Sequence, residues 1–260
     1  MHTVVFCSFK GGTAKTSTTL HIGAALAAFH NKKVLLIDFD PQADLSIGLG
    51  FSVDDDDTMV PVLQGEKSIK DVVKETSISG LHLVTGNTYL DMIEATAPLV
   101  SDPYAHERLR KCLKNLDYDF CLIDIPPSFG WLCQSAFFAS QYSVICAVPQ
   151  PYSMQALKRL AKYHRAINEN HNISLMGVVF SLWDERGATN KVFMESVEDV
   201  FPGKIFQTKI RKDISVDRAI LEGKPVFETA PSSRVVEDYR SLVEEFLERT
   251  KVNTTELVGV

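Results

Sequence analysis

Phe9-Lys10-Gly11-Gly12-Thr13-Ala14-Lys15-Thr16-Ser17 is the stretch that decides the fold of this 260-residue chain. A short apolar run, Thr3-Val4-Val5-Phe6-Cys7, precedes it, and a helix-period pattern follows from Ser17 to about Phe29. Strand, glycine-containing loop and helix in that order make a phosphate cradle. Successive backbone N–H groups wrap an anion, the helix N-terminus adds its positive dipole end, and a lysine reaches the outer phosphates. The strict phosphate-loop spacing is not met, because Phe9 and Ala14 stand where it wants glycines. What remains is Lys-Gly-Gly-x-x-Lys-Thr, with Lys10 as a second lysine at the start of the loop.

Working outward, apolar runs of strand length recur along the chain: Val34-Leu35-Leu36-Ile37-Asp38, Leu81-His82-Leu83-Val84, Phe120-Cys121-Leu122-Ile123-Asp124, Ser143 to Val148, and Met176 to Phe180. Lys204-Ile205-Phe206 is a weaker seventh. Continuous apolar runs suit parallel strands buried on both faces. Helix-period segments lie between or after them, at about 105–115, 154–168, 191–200 and 235–249. This alternation predicts right-handed βαβ units and an α/β fold, a doubly wound, mostly parallel sheet of about seven or eight strands flanked by helices. No repeat or composition break divides the chain, so one domain over 1–260 is expected, with 251–260 as a flexible tail.

With 45% hydrophobic residues the chain can bury a large core. Its net charge of −6 and pI near 5.7 argue against a wholesale nucleic-acid coat, so any polyanion contact needs a local basic patch. The five scattered cysteines (Cys7, Cys112, Cys121, Cys133, Cys146) read as reduced, mostly buried thiols. There is no signal-peptide pattern at the N-terminus and no apolar stretch near the roughly 20 residues of a membrane span, so a soluble, cytoplasmic chain is expected. Asp54-Asp55-Asp56-Asp57 reads as a solvated loop tip.

In an open parallel sheet, ligands sit beyond the carboxyl ends of the strands. Three acids occupy such positions: Asp38, Asp40 and Asp124. Asp124, at the end of an apolar run and followed by Pro126-Pro127, suits a carboxylate that holds the hydration shell of Mg²⁺ while the Thr16 hydroxyl binds the ion directly. Asp38 can share that outer role. Asp40, further round the turn, can face a γ-phosphate and orient the attacking water. Taken singly, each acid could merely cap a turn; three beside one phosphate loop read as a site. Lys10 has two readings, an exposed lysine or a cation that crosses a two-fold interface to a partner subunit's phosphates, as an arginine finger would.

Lys10-Gly11-Gly12-x-x-Lys15-Thr16 resembles the deviant Walker A motif of the ParA/MinD group of P-loop ATPases. The likeness continues in Asp38-x-Asp40-Pro41-Gln42 and Asp124-x-Pro126-Pro127-Ser128. Gly223-Lys224-Pro225-Val226 and Pro231-Ser232-Ser233-Arg234 resemble the ParA/Soj branch. It spans about Thr3 to Leu247, with two departures: Ala14 replaces a usual glycine, and Asp44 a frequent asparagine. The resemblance implies ATP and Mg²⁺ as cofactors, nucleotide contacts from Lys10 to Ser17 and from Ile210 and Arg211, and catalytic roles for Lys10, Lys15 and Asp40. It implies a slow, dimerisation-coupled ATPase. Its ATP homodimer would bind nonspecific DNA and be reset by a ParB-like partner, giving a nucleoid-associated location for DNA partitioning. A local basic excess adds independent support: Lys209, Lys212, Arg218, Lys224 and Arg234 are candidates for DNA contact. Arg211 could serve either nucleotide or DNA.

The nearest alternative is MinD-like membrane cycling. It would need a basic amphipathic C-terminal helix, and 235–249 carries Glu237, Asp238, Glu244, Glu245 and Glu248 instead. A reductase with an interfacial iron–sulfur cluster would need paired exposed cysteines, and Cys112 and Cys133 have no such setting.

Overall fold

A computed structural model describes residues 1–8, 10–96, 105–150 and 153–258, with side chains through 251. Phe9 therefore lies outside the described residues. Eight strands form one sheet: β1 (His2–Cys7), β2 (Val34–Asp38), β3 (Lys74–Glu75), β4 (Leu81–Val84), β5 (Phe120–Asp124), β6 (Tyr142–Ala147), β7 (Ser174–Trp183) and β8 (Ile205–Arg211). Their order is β3-β4-β2-β5-β1-β6-β7-β8. All neighbours are parallel except β3 and β4.

The apolar runs are strands for the reason expected: both faces are covered. Along β1, Val5 and Cys7 point into one core, and Val4 and Phe6 into the other. This is the period of two that a pleated strand imposes. On the second of these faces lie α1 (Lys15–His30) and the long C-terminal helix. The first face carries α3 (Met59–Gln64), α6 (Trp131–Ala139), α7 (Ser153–Asn168) and α8 (Asn190–Val200). α2 (Asp44–Gly48), α4 (Tyr89–Ala95), α5 (Arg108–Cys112), α9 (Ile214–Leu221) and α10 (Val226–Thr229) are short connecting helices. α11 (Arg234–Val258) closes the chain, running on past the expected end at Arg249 into the segment read as a tail.

Register positions the site. Asp38 and Asp124 are paired at the carboxyl ends of β2 and β5, and Phe6 of β1 is opposite Asp124. The loop leaving β1 therefore emerges beside both acids, at a place where neighbouring strands send their connections to opposite faces. Gly86, after β4, completes this edge: a Cβ there would sit 2.8 Å from Asp38 O and 3.1 Å from Asp40 O. No helix among the described residues is long and apolar enough to cross a membrane.

The structure changes several sequence expectations. The segment 105–115 is a 3-10 turn followed by the five-residue α5, with Leu113 already past its end. β8 runs on from the expected Lys204-Ile205-Phe206 to Arg211, so Ile210 and Arg211 are in an edge strand. The acidic run is partly neutralised: Lys74 Nζ donates to Asp55 at 2.7 Å, which holds that carboxyl below its usual range, and Lys67 pairs with Asp57. All five cysteines are free, and four are buried.

Candidate active site

The loop between β1 and α1 is braced from within. Thr13 Oγ1 donates to Ser8 Oγ at 2.8 Å, and Ser8 Oγ donates to Lys10 O at 3.1 Å. Gly12 has φ 71°, a conformation glycine adopts without penalty. Ala14, at the N-cap of α1, has φ 55° and ψ 29°, a left-handed conformation that an alanine adopts at a cost of about 1 kcal/mol. That turn brings the N-terminus of α1 round to face the loop. Lys10, Gly11, Gly12, Thr13, Ala14, Lys15, Thr16 and Ser17 line a cavity of about 280 Å³, together with Asp40, Gln42, Asp44 and Pro127.

Behind this cavity is a tight polar knot. Lys15 Nζ donates to Asp124 Oδ1 at 2.6 Å and lies 3.9 Å from Asp40 Oδ2. Thr16 Oγ1 donates to Asp124 Oδ2 at 2.7 Å, so both carboxylate oxygens of Asp124 are engaged. Burial alone would push the Lys15 ammonium toward neutrality, but Asp124 and Asp40 outweigh it and hold its pKa above the usual lysine value. Lys15 is thus a fixed positive charge aimed at the cavity. Asp40 feels mainly burial, which raises its pKa, against the backbone N–H of Gln42 at 3.0 Å and the Lys15 charge.

Asp38 is fully buried and does not line the cavity. Its Oδ2 accepts from both the backbone N–H and the hydroxyl of Ser46, at 2.8 and 2.7 Å, and Asp40 N donates to Oδ1 at 3.3 Å. Burial first, and Asp124 second, raise its pKa to about 7. Its visible work is to fix the Asp40 turn and the start of α2. Ser46 was missed in the sequence because nothing in a serine one turn into a short helix marks a carboxylate partner.

His21 was missed for the same kind of reason. It is buried on α1, one turn beyond Ser17. Val226 N donates to its Nε2 at 3.0 Å, so Nδ1 carries the proton and donates to Ser17 O at 2.7 Å. Its ring stacks on Tyr239, 4.4 Å between centroids. The helix that carries the phosphate loop is thereby tied to α10 and α11.

Lys10 turns to Gln150, beyond β6, and donates to its Oε1 at 2.9 Å. The other expected residues divide. Ile210 is buried in the core, and neither it nor Arg211 lines the cavity. Arg211 forks onto Asp238 with two 2.6 Å hydrogen bonds, and Lys209 lies over the Trp183 ring at 5.2 Å. Lys212, Arg218, Lys224 and Arg234 are exposed around α9, with Asp217 and Glu222 exposed among them.

The donor set suits Mg²⁺. The described residues hold no cluster of three or more metal-ligating His, Cys, Asp or Glu side chains. Mg²⁺ does not need one, since it takes one or two protein oxygens and completes its octahedron with phosphate oxygens and water. Thr16 Oγ1 would bind such an ion, with Asp124 next to it.

A phosphate loop on the carboxyl edge of an eight-stranded, mostly parallel sheet, with a lysine and two acids beside one cavity, defines a P-loop nucleotide-binding protein. A family model described as an AAA domain (AAA_31) matches residues 1–176. The chain is 49% identical over 249 residues to a ParA family protein of Chlamydia muridarum, covering 95% of this chain and 98% of that one. It is 30% identical over 251 residues to the chromosome-partitioning ATPase Soj of Treponema pallidum, covering 95% and 97%. The fold matches that of an ATP complex of a McdA variant from Cyanothece, with TM-score 0.85 at 23% identity, covering 95% and 96%. The chain belongs to the ParA family of P-loop ATPases.

Proposed function

We propose that this protein is a partition ATPase switched by its nucleotide: it binds Mg²⁺ and ATP in the 280 Å³ cavity and hydrolyses ATP as a sandwich dimer. The observation that carries the reading is the cluster behind the cavity, in which Lys15 meets both Asp124 and Asp40 and Thr16 donates to Asp124. Lys15 supplies charge to the β and γ oxygens, and the loop N–H groups with the α1 dipole cradle the rest. Asp40 borders the cavity and would orient the attacking water, while Asp124 stands beside the Thr16 hydroxyl that would bind the ion. Bound Mg²⁺ would neutralise charge on the transferring phosphoryl group.

Lys10 serves the second subunit. Its ammonium donates to Gln150, while Lys15 pairs with Asp124 at the cavity that both lysines line. Across a two-fold axis it would reach the partner's phosphates and couple turnover to dimerisation. The exposed Lys212, Arg218, Lys224 and Arg234 would contact nonspecific DNA, and a ParB-like protein would stimulate hydrolysis and release.

The test is duplex retention and sizing with ADP, ATP and a slowly hydrolysed analogue. Binding and a dimeric mass only with ATP or the analogue are expected; equal DNA binding in all three states would refute the switch. ATP-dependent binding to liposomes and to no duplex would favour membrane cycling. Asp40→Ala should keep the dimer and lose turnover, whereas Lys15→Ala should lose ATP. Normal hydrolysis by Asp40→Ala would show that another group positions the water.

A further inference from the structure

α7 carries a cationic face that the nucleotide site does not use. The helix buries Ser153, Leu157, Leu160 and Ile167 against the sheet. On its outer side Lys158, Arg159, Lys162 and Arg165 are all exposed. Lys158, Lys162 and Arg165 follow i, i+4, i+7 spacing and form one line along the helix. No acidic residue occurs anywhere in α7, although the whole chain has net charge −6. Among the described residues none of these four cations forms an ion pair. Of the three acids of neighbouring α8, Glu195 lies 3.9 Å from Lys191 and Glu198 accepts from Gly203 N at 2.6 Å, while Asp199 is exposed near the helix end.

His171 N donates to Ile167 O just past the end of α7. The His171 ring lines a cleft of about 540 Å³, which Arg110 and Lys114 border from α5 and the turn after it. The exposed Glu169 lies one turn beyond Arg165, so the cationic line ends with the helix, and Arg110 and Lys114 form a separate basic pair at this cleft.

We infer that the outer face of α7 is a phosphate-backbone contact surface for duplex nucleic acid. Four unpaired cations in a chain of net negative charge are a local field that bulk charge would not produce. The line from Lys158 to Arg165 is about 10 Å long at 1.5 Å per residue. One strand of B-form DNA advances by about three phosphates over that distance. Exposed lysines and arginines on a helix suit phosphate contact, which by itself carries no sequence information. The inference shares its ligand class with the proposed function but uses a different surface, on the opposite face of the sheet from α11.

The experiment is fluorescence anisotropy of a roughly 30-base-pair duplex against the full-length protein, with the slowly hydrolysed analogue and Mg²⁺, between about 50 and 200 mM salt. Three proteins are compared: wild type, Lys158→Gln/Lys162→Gln/Arg165→Gln, and Lys212→Gln/Arg218→Gln/Lys224→Gln. The α7 variant should reduce the slope of log K against log salt by about 2 to 3, near 0.9 for each lost phosphate contact. Replacing Lys158 and Lys162 by Arg should restore it, because a backbone contact requires charge rather than one side chain. ATP binding and melting temperature should stay at wild-type values, since the substituted side chains are solvated.

An unchanged slope in the α7 variant overturns the inference. If the variant around α9 then loses the slope, the DNA reading under the proposed function survives alone. If only the α7 variant loses it, the α7 surface stands and the contacts around α9 fall. Loss of polyglutamate binding by the α7 variant with duplex binding intact would overturn it in favour of an acidic protein partner.

Discussion

His21 gives the sharpest test of the packing that holds the phosphate loop. Its Nε2 accepts from Val226 N, so a second ring proton would point one N–H at another inside a fully buried site. Burial drives the pKa from 6.5 down to about 4, against the partial support of Ser17 O. Between these values the unfolded chain binds a proton that the folded chain refuses, so acid favours unfolding. The contribution is fully present above pH 6.5 and is lost as pH falls toward 4. A drop of that size is worth about 3 kcal/mol. Urea unfolding of wild type and His21→Gln from pH 4.5 to 8, without nucleotide, isolates the residue. His164, also near 4, contributes with the same sign, and Asp38, raised to about 7, with the opposite sign; both cancel in the difference. The variant will be less stable at pH 8 through its lost hydrogen bonds, and the gap should close by about 3 kcal/mol at the acid end. Parallel curves would refute the reasoning. Should His21→Gln not fold, the ring nitrogens of wild type can be followed by NMR: a neutral Nδ1–H tautomer down to pH 5 is expected, and titration near 6.5 would refute it.

Three further outcomes follow from the geometry. Ala14→Gly removes a left-handed alanine and should raise stability by about 1 kcal/mol in thermal melts of the nucleotide-free protein; a lower melting temperature would mean that the loop relies on alanine's stiffness. Arg249 donates to Met176 O, Lys204 O and Ile205 O at 2.7 to 3.2 Å and stacks on Phe206, so Arg249→Ala should cost about 3 kcal/mol in urea, and Arg249→Lys, lacking the fork, should recover only part of it. Cys133 and Cys146 are buried, with thiols pushed up to about 12, so native alkylation near pH 8 should label Cys112 alone, and fast labelling of a second thiol would contradict the burial.

The parts of the fold that burial dictates were legible in the sequence. β2 and β5 are covered on both faces, and four consecutive apolar residues ending in an acid announce such a strand. β8 was seen only at its start, because Gln207, Thr208 and Lys209 lie at the sheet edge, where one side remains open to polar groups. β3, a Lys-Glu dipeptide, had no apolar signal at all. At the site, the loop and the strand-end acids could be read from residue type and spacing. Which acid touches which donor could not, because Ser46 and Gln150 reach Asp38 and Lys10 through tertiary placement. The basic residues illustrate the same limit. Attention falls on charges dense along the chain, around 204–224, yet Lys209 and Arg211 are occupied by Trp183 and Asp238. The α7 cations are spread at helical spacing, and only folding lines them up.

The bond between Lys15 and Asp124 has a consequence for the order in which the site fills. Lys15 and Asp124 neutralise each other, so Asp124 offers a divalent ion a carboxylate whose charge is already answered. Phosphate oxygens that draw Lys15 toward the cavity would uncover that carboxylate, next to the Thr16 hydroxyl. Affinity for the cation would then rise with the triphosphate in place, and by reciprocity affinity for the triphosphate would rise with the cation. Free Mg²⁺ alone should therefore bind weakly, and the lysine would act as a latch that makes the nucleotide and its metal a single ligand.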